Sequence, residues 1–162
     1  ELLNIQIPHE YAHAKIINEI AGGKSAKEIV GASNYKYAEW FDELNADLVA
    51  KNTLTNNTEF IETTNATLDK LTTNTLSSLI VDDQLSELAY YKVISENFDQ
   101  SRKVANKIDS LLSSPGFSVE KQNFSRIYQF LKENALFNGI NKNDYANKLN
   151  ESVQLLKRLG VE

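Results

Sequence analysis

Tyr37-Ala38-Glu39-Trp40-Phe41-Asp42-Glu43-Leu44-Asn45-Ala46-Asp47-Leu48 decides the fold. Tyr37, Phe41, Leu44 and Leu48 recur at spacings of four, three and four, the apolar stripe of an amphipathic helix. Trp40 lies beside the stripe. Ser33 or Asn34 offers an N-cap, so the helix is predicted to run from there to about Lys51. The alternation that a half-buried strand requires is missing here, and no convincing strand pattern follows residue 8.

Upstream, Ala12, Ile16, Ile17 and Ile20 carry a helical stripe that Ala21-Gly22-Gly23 stops. A cap near Asn4 would place Pro8 in the first turn, where a missing N–H does little harm. Residues 25–30 read as a short helix ended by Gly31. Downstream, the Asn/Thr-rich stretch 52–58 reads as a loop or a frayed helix start. Ile61, Leu68, Leu71 and Leu79 predict a helix over roughly 58–80. Asp82 or Asp83 would cap a long helix reaching Leu112, and Ser113-Ser114-Pro115-Gly116 breaks it. Two further helices are expected, from Ser118 to about Phe137 and from Asn143 or Asp144 to about Leu159. The expected fold class is therefore mainly α.

The 162 residues suit one compact domain, with an apolar share of 41% and a charged share of 24%. No apolar run approaches the length needed to span a bilayer. A net charge of -5 with scattered Lys and Arg argues against nucleic acid as the partner, since phosphate binding needs a basic face. With no Cys, disulfides and thiolate metal sites are excluded, and any metal must sit on His, Asp or Glu. The absence of Met, at position 1 included, leads us to expect a mature form or a fragment. Abundant Asn and Thr without Cys is a mix compatible with an exported bacterial protein.

Both His of the chain fall in His9-Glu10-Tyr11-Ala12-His13, an H-E-x-x-H sequence on a predicted helix. His at i and i+4 lie on one helix face a turn apart, so both imidazoles can reach a single ion. Zinc (Zn2+) accepts such nitrogens, and a catalytic site adds a third protein ligand and keeps one position open. Glu10, next to the first His, is placed to act as general base towards water. On the second helix, Glu43 and Asp47 share the row Lys36, Trp40, Glu43, Asp47, Ala50, which borders the apolar stripe. Carboxylates near a buried face are costly unless neutralised, and a zinc ion with a ligand imidazole would neutralise them. Glu43 is the expected third ligand, and Asp47 the acceptor that fixes the tautomer of a ligating His. A solvated boundary on an ordinary amphipathic helix is the plainer account of the same two residues.

H-E-x-x-H followed by E-x-x-x-D resembles the signature of the gluzincin metallopeptidases, the thermolysin-like superfamily. Trp40-Phe41-Asp42-Glu43-Leu44-Asn45-Ala46-Asp47 also looks like the third-ligand helix of clostridial-type collagenases. The resemblance covers residues 9–47. It implies His9, His13 and Glu43 as zinc ligands, Glu10 as catalytic base, Asp47 as supporting carboxylate, and Ala46 as the small residue that lets two helices approach. It further implies a helical zincin-type core over residues 1–51, an active-site helix plus a third-ligand helix. A helical subdomain over 52–162 would form the far wall of a cleft that takes a peptide or protein substrate. In such enzymes a β-sheet upstream of the first motif holds the substrate by strand addition. Only eight residues precede His9, so either a preceding segment or a partner chain is expected to complete that sheet, or the sheet has been lost. A Tyr or Arg would steady the oxyanion in place of a further His, with Tyr11, Tyr35, Tyr37, Tyr90, Tyr91, Tyr128, Arg102 and Arg126 as candidates. The competing reading is a non-catalytic all-helical binding or sensor module whose metal binding is incidental or structural.

Overall fold

The computed structural model describes residues 2–53, 58–136 and 144–161. Nine α-helices run through them, and there is no strand among the described residues. In chain order they are α1 (Leu2–Glu19), α2 (Ala26–Val30), α3 (Glu39–Thr53), α4 (Thr58–Asp69), α5 (Thr73–Val81), α6 (Leu85–Glu96), α7 (Arg102–Leu112), α8 (Ser118–Asn134) and α9 (Tyr145–Leu159). Single 3-10 turns at Tyr35–Tyr37, Asp99–Ser101 and Pro115–Phe117 lead into α3, α7 and α8.

The mainly helical class agrees with the sequence reading, but several boundaries do not. α1 begins at Leu2, so Pro8 lies inside the helix and not in its first turn. Lacking an N–H, Pro8 leaves the carbonyl four residues back without its helical partner. The segment expected as one helix over 58–80 is two, α4 and α5, parted at Lys70-Leu71-Thr72. There the Thr72 hydroxyl accepts from the Thr75 N–H at 3.1 Å and starts a new helix. The long helix expected from Asp82 or Asp83 to Leu112 is likewise two, α6 and α7. Gln84, not either Asp, precedes α6, and Asp83 holds a left-handed φ of 59° in the turn before it. Asn97 closes α6, its side chain donating to the Val93 carbonyl at 2.8 Å. α3 starts at Glu39, later than the Ser33 or Asn34 cap predicted, because a 3-10 turn intervenes. The stretch 54–57, the expected end near Phe137 of the helix from Ser118, and the Asn143 cap offered for the final helix lie outside the described residues, while α8 closes at Asn134.

Leu44, Leu48, Leu76, Ile80, Leu85, Leu88, Ile94, Ile108, Ile127 and Leu149 are almost fully withdrawn from water. They belong to one apolar cluster that draws on every helix except the short α2 through large side chains, and on α2 through Ala26 and Val30. α3 is central to it. It packs on α1 on one side, on α6 on another, and on α9. Phe41 stands 5.4 Å from Phe130 of α8 and 6.3 Å from Tyr145 of α9, ring centre to ring centre. The Asn45 side-chain carbonyl accepts from the Leu136 N–H at 2.8 Å, and Ser152 donates to the Tyr37 carbonyl at 2.8 Å. The late helices thus hold α3 rigidly where α1 meets it. Ala12 of α1 and Ala46 of α3 are both fully buried, and neither carries more than a methyl group.

Candidate metal centre

His9 and His13 project from one face of α1, one turn apart, as the i, i+4 spacing dictates. α3 lies against that face and presents Asp42, Glu43 and Asp47 to it. The Nε2 atoms of the two His face each other at 3.0 Å. Glu43 closes the group, with Oε2 at 2.7 Å from His9 Nε2 and Oε1 at 3.3 Å from His13 Nε2. One atom from each of His9, His13 and Glu43 lies within 4.8 Å of the other two, so this group could hold a metal ion. Tetrahedral donors at about 2.0–2.2 Å from zinc sit about 3.3–3.6 Å apart, which matches the His13–Glu43 separation and is wider than the other two by roughly half an ångström.

Each imidazole is backed by a carboxylate. His9 Nδ1 is 2.7 Å from Asp47 Oδ1, so Asp47 accepts the Nδ1 proton, and Nε2, aimed inward, would offer its lone pair to an ion once its own proton leaves. His13 Nδ1 faces Asp42 Oδ1 at 3.6 Å, an electrostatic contact longer than a hydrogen bond. The two carboxylates are buried and are themselves held by phenols. Tyr90 donates to Asp47 Oδ2, Tyr35 donates to Asp42 Oδ2 at 2.9 Å, and Tyr145 reaches Asp42 Oδ1 at 3.3 Å. Burial, and then the charge and acceptor of the facing Asp, push all three phenols up, so each stays protonated and donates.

Three carboxylates thus surround two imidazoles in a half-buried site, a charge balance that calls for a cation. Without a metal, protons fill that role. Burial lowers His9, but hydrogen bonds and charge from Asp47 and Glu43 outweigh it and hold the imidazole up at about 10. Burial raises Glu43, and the bonds from His13 and His9 overturn that and hold it well below the usual carboxylate range. Burial pushes Asp42 up, against the pull of His13. The donor set, with both Nε2 atoms facing inward and a carboxylate beside each outer ring nitrogen, fits a nitrogen- and oxygen-ligated divalent metal that displaces the inner protons.

Two cavities flank the group, and Glu43 borders both. One, of about 370 Å³, is shared by Glu10, His13, Glu43, Tyr35 and Tyr145. Glu10 itself is exposed and lies on this wall, beside the ligand face of α1. The other cavity, of about 280 Å³, opens on the His9 side among α3, α4 and α6. Among the proposed oxyanion partners, Tyr35 reaches the first cavity and Tyr90 and Tyr91 the second. Tyr11 points to solvent, Tyr37 packs under Lys36 and Lys157, and Tyr128 donates to Glu96 at 2.6 Å. Arg102 borders a separate cavity with Lys132, and Arg126 is exposed on α8.

The sequence reading did not single out Asp42 or Tyr145. Asp42 was legible as the first of an acidic pair one turn before Ala46. Tyr145 was not, since only the fold brings it across from α9. Comparison with protein-family models, with curated proteins and with solved structures found no match for the chain.

Proposed function

We propose that the chain is a zinc-dependent peptidase of the gluzincin type, with His9, His13 and Glu43 holding the ion and Glu10 as general base. The observation that carries this reading is the convergence of two imidazole Nε2 atoms and one carboxylate from facing helices. The buried Asp47 and Asp42 behind the rings support it, because ordinary surface His need no such backing. The H-E-x-x-H and E-x-x-x-D spacing supports a peptidase among metal-dependent hydrolases.

When bound, zinc supplies Lewis acidity at the scissile carbonyl and brings the pKa of water from 15.7 to about 7. The chain's own residues do the rest. Asp47 keeps the His9 proton on Nδ1, leaving Nε2 as donor to the metal. Glu10 takes the proton of the attacking water on its carboxylate and returns it to the departing amine nitrogen. Its place on the wall shared with His13 and Glu43 favours this over a helical module that holds metal without turnover.

Metal analysis of the purified chain tests the proposal. One zinc per chain is expected, lost in His9→Ala and in Glu43→Ala while the helical circular dichroism persists. A chain that folds and takes up no divalent metal ends it.

A further inference from the structure

The cavity on the His9 side is not accounted for by metal binding. Its walls are Trp40, Tyr90 and Tyr91, with ring centres 5.0 Å (Trp40 to Tyr90) and 6.4 Å (Trp40 to Tyr91) apart, and Leu68 of α4. Thr64 also lines it, is 8% exposed, and its hydroxyl finds no hydrogen-bond partner among the described residues. A helical Thr ordinarily bonds the carbonyl a turn back. A buried hydroxyl left without a partner is costly, and such groups in native proteins are completed by water or ligand. A 120° step about χ1 carries the hydroxyl to the position that the methyl holds.

We infer that this cavity is the side-chain subsite of the metal centre and that it selects a tyrosyl residue, whose ring packs on Trp40 and Tyr91 and whose phenol completes Thr64. The role as a subsite rests on the peptidase reading, whereas occupancy of the cavity does not. The shape and chemistry argue for this occupant. About 280 Å³ holds one large side chain and not a length of peptide. Aromatic walls reward a ring by offset or edge contacts. The cavity is bordered by Glu43 and Asp47 and, among the described residues, by no Lys or Arg, which disfavours an acidic side chain. A phenylalanyl ring would fill the same space but leave the Thr64 hydroxyl unpaired, and sites built around such a group reject the analogue that lacks it.

Trp40 is the sole Trp and stands in the wall, so its emission reports occupancy directly. N-acetyl-tyrosinamide and N-acetyl-phenylalaninamide are titrated into the full chain with zinc supplied, with excitation where tyrosine does not absorb. The tyrosyl amide should bind about tenfold more tightly. Thr64→Val should bring the two amides within about twofold, and Thr64→Ser, which keeps the hydroxyl, should retain the preference. Equal affinities in the parent chain, an unresponsive Trp40, or a preference that survives Thr64→Val overturns the inference. Discrimination at Trp40 in a chain that cleaves no peptide upholds the subsite chemistry and removes the peptidase. Peptide cleavage without discrimination does the reverse.

Discussion

At the scale of single residues the centre depends on who backs each ligand. Asp47 fixes His9 through Nδ1 and is pinned by Tyr90, so Asp47→Ala should weaken zinc affinity about 10–100-fold, read by competition with a chromogenic chelator. Glu10→Gln removes a base and no ligand. It should keep one zinc per chain yet lower kcat/KM for peptide cleavage by about 10²–10⁴-fold. The metal-free chain carries a pH signature of its own. The folded value of His9 lies above its ordinary 6.5, at about 10, so its protonated form stabilises the fold fully below about 6.5. That contribution fades as the pH climbs through about 10. Glu43 works oppositely, its contribution present above its ordinary 4.5 and lost as the pH falls below that. Melting of the chelated protein should therefore give a lower Tm at about pH 9 than at about pH 6, a difference reduced in His9→Ala and offset by zinc, which needs the neutral ring.

At the scale of elements, α1 and α3 pack together to make the site, and each buries a small residue, Ala12 and Ala46, completely. Ala46→Leu adds three carbons at a fully buried position one turn from Asp42, and should cost about 1–3 kcal/mol in denaturant unfolding and weaken zinc binding. The same two helices were the most legible part of the sequence. His9, His13, Glu43 and Asp47 share faces that local 3.6-residue periodicity dictates, so spacing alone places them. Helix breaks elsewhere were less legible. Leu68 and Leu71 continue the apolar period of α4, yet a threonine cap at Thr72 outbids it locally. Asn97 does the same after Ile94 by folding its amide back on Val93. Polar side chains that bond the backbone compete with the helix over a few residues, a contest that periodicity does not register.

At the scale of the molecule, the far helices act as a clamp. Leu149 of α9 is fully buried, and Leu149→Ala should cost about 2–5 kcal/mol in unfolding free energy. The variant should still titrate to one zinc per chain, since no donor changes. The Phe41 contacts with Phe130 and Tyr145, and the Asn45 bond to Leu136, had no sequence signal because they join residues about ninety or more positions apart.

The phenol of Tyr145 on Asp42 has a consequence for biosynthesis. A ribosome delivers His9, Glu10 and His13 early and Tyr145 more than a hundred residues afterwards. A nascent chain stalled ahead of α9 would keep the Tyr35 bond on Asp42 but lack the Tyr145 contact, and under the proposed function its hold on zinc should be looser. Enclosure of the carboxylate behind His13 thereby waits on α9.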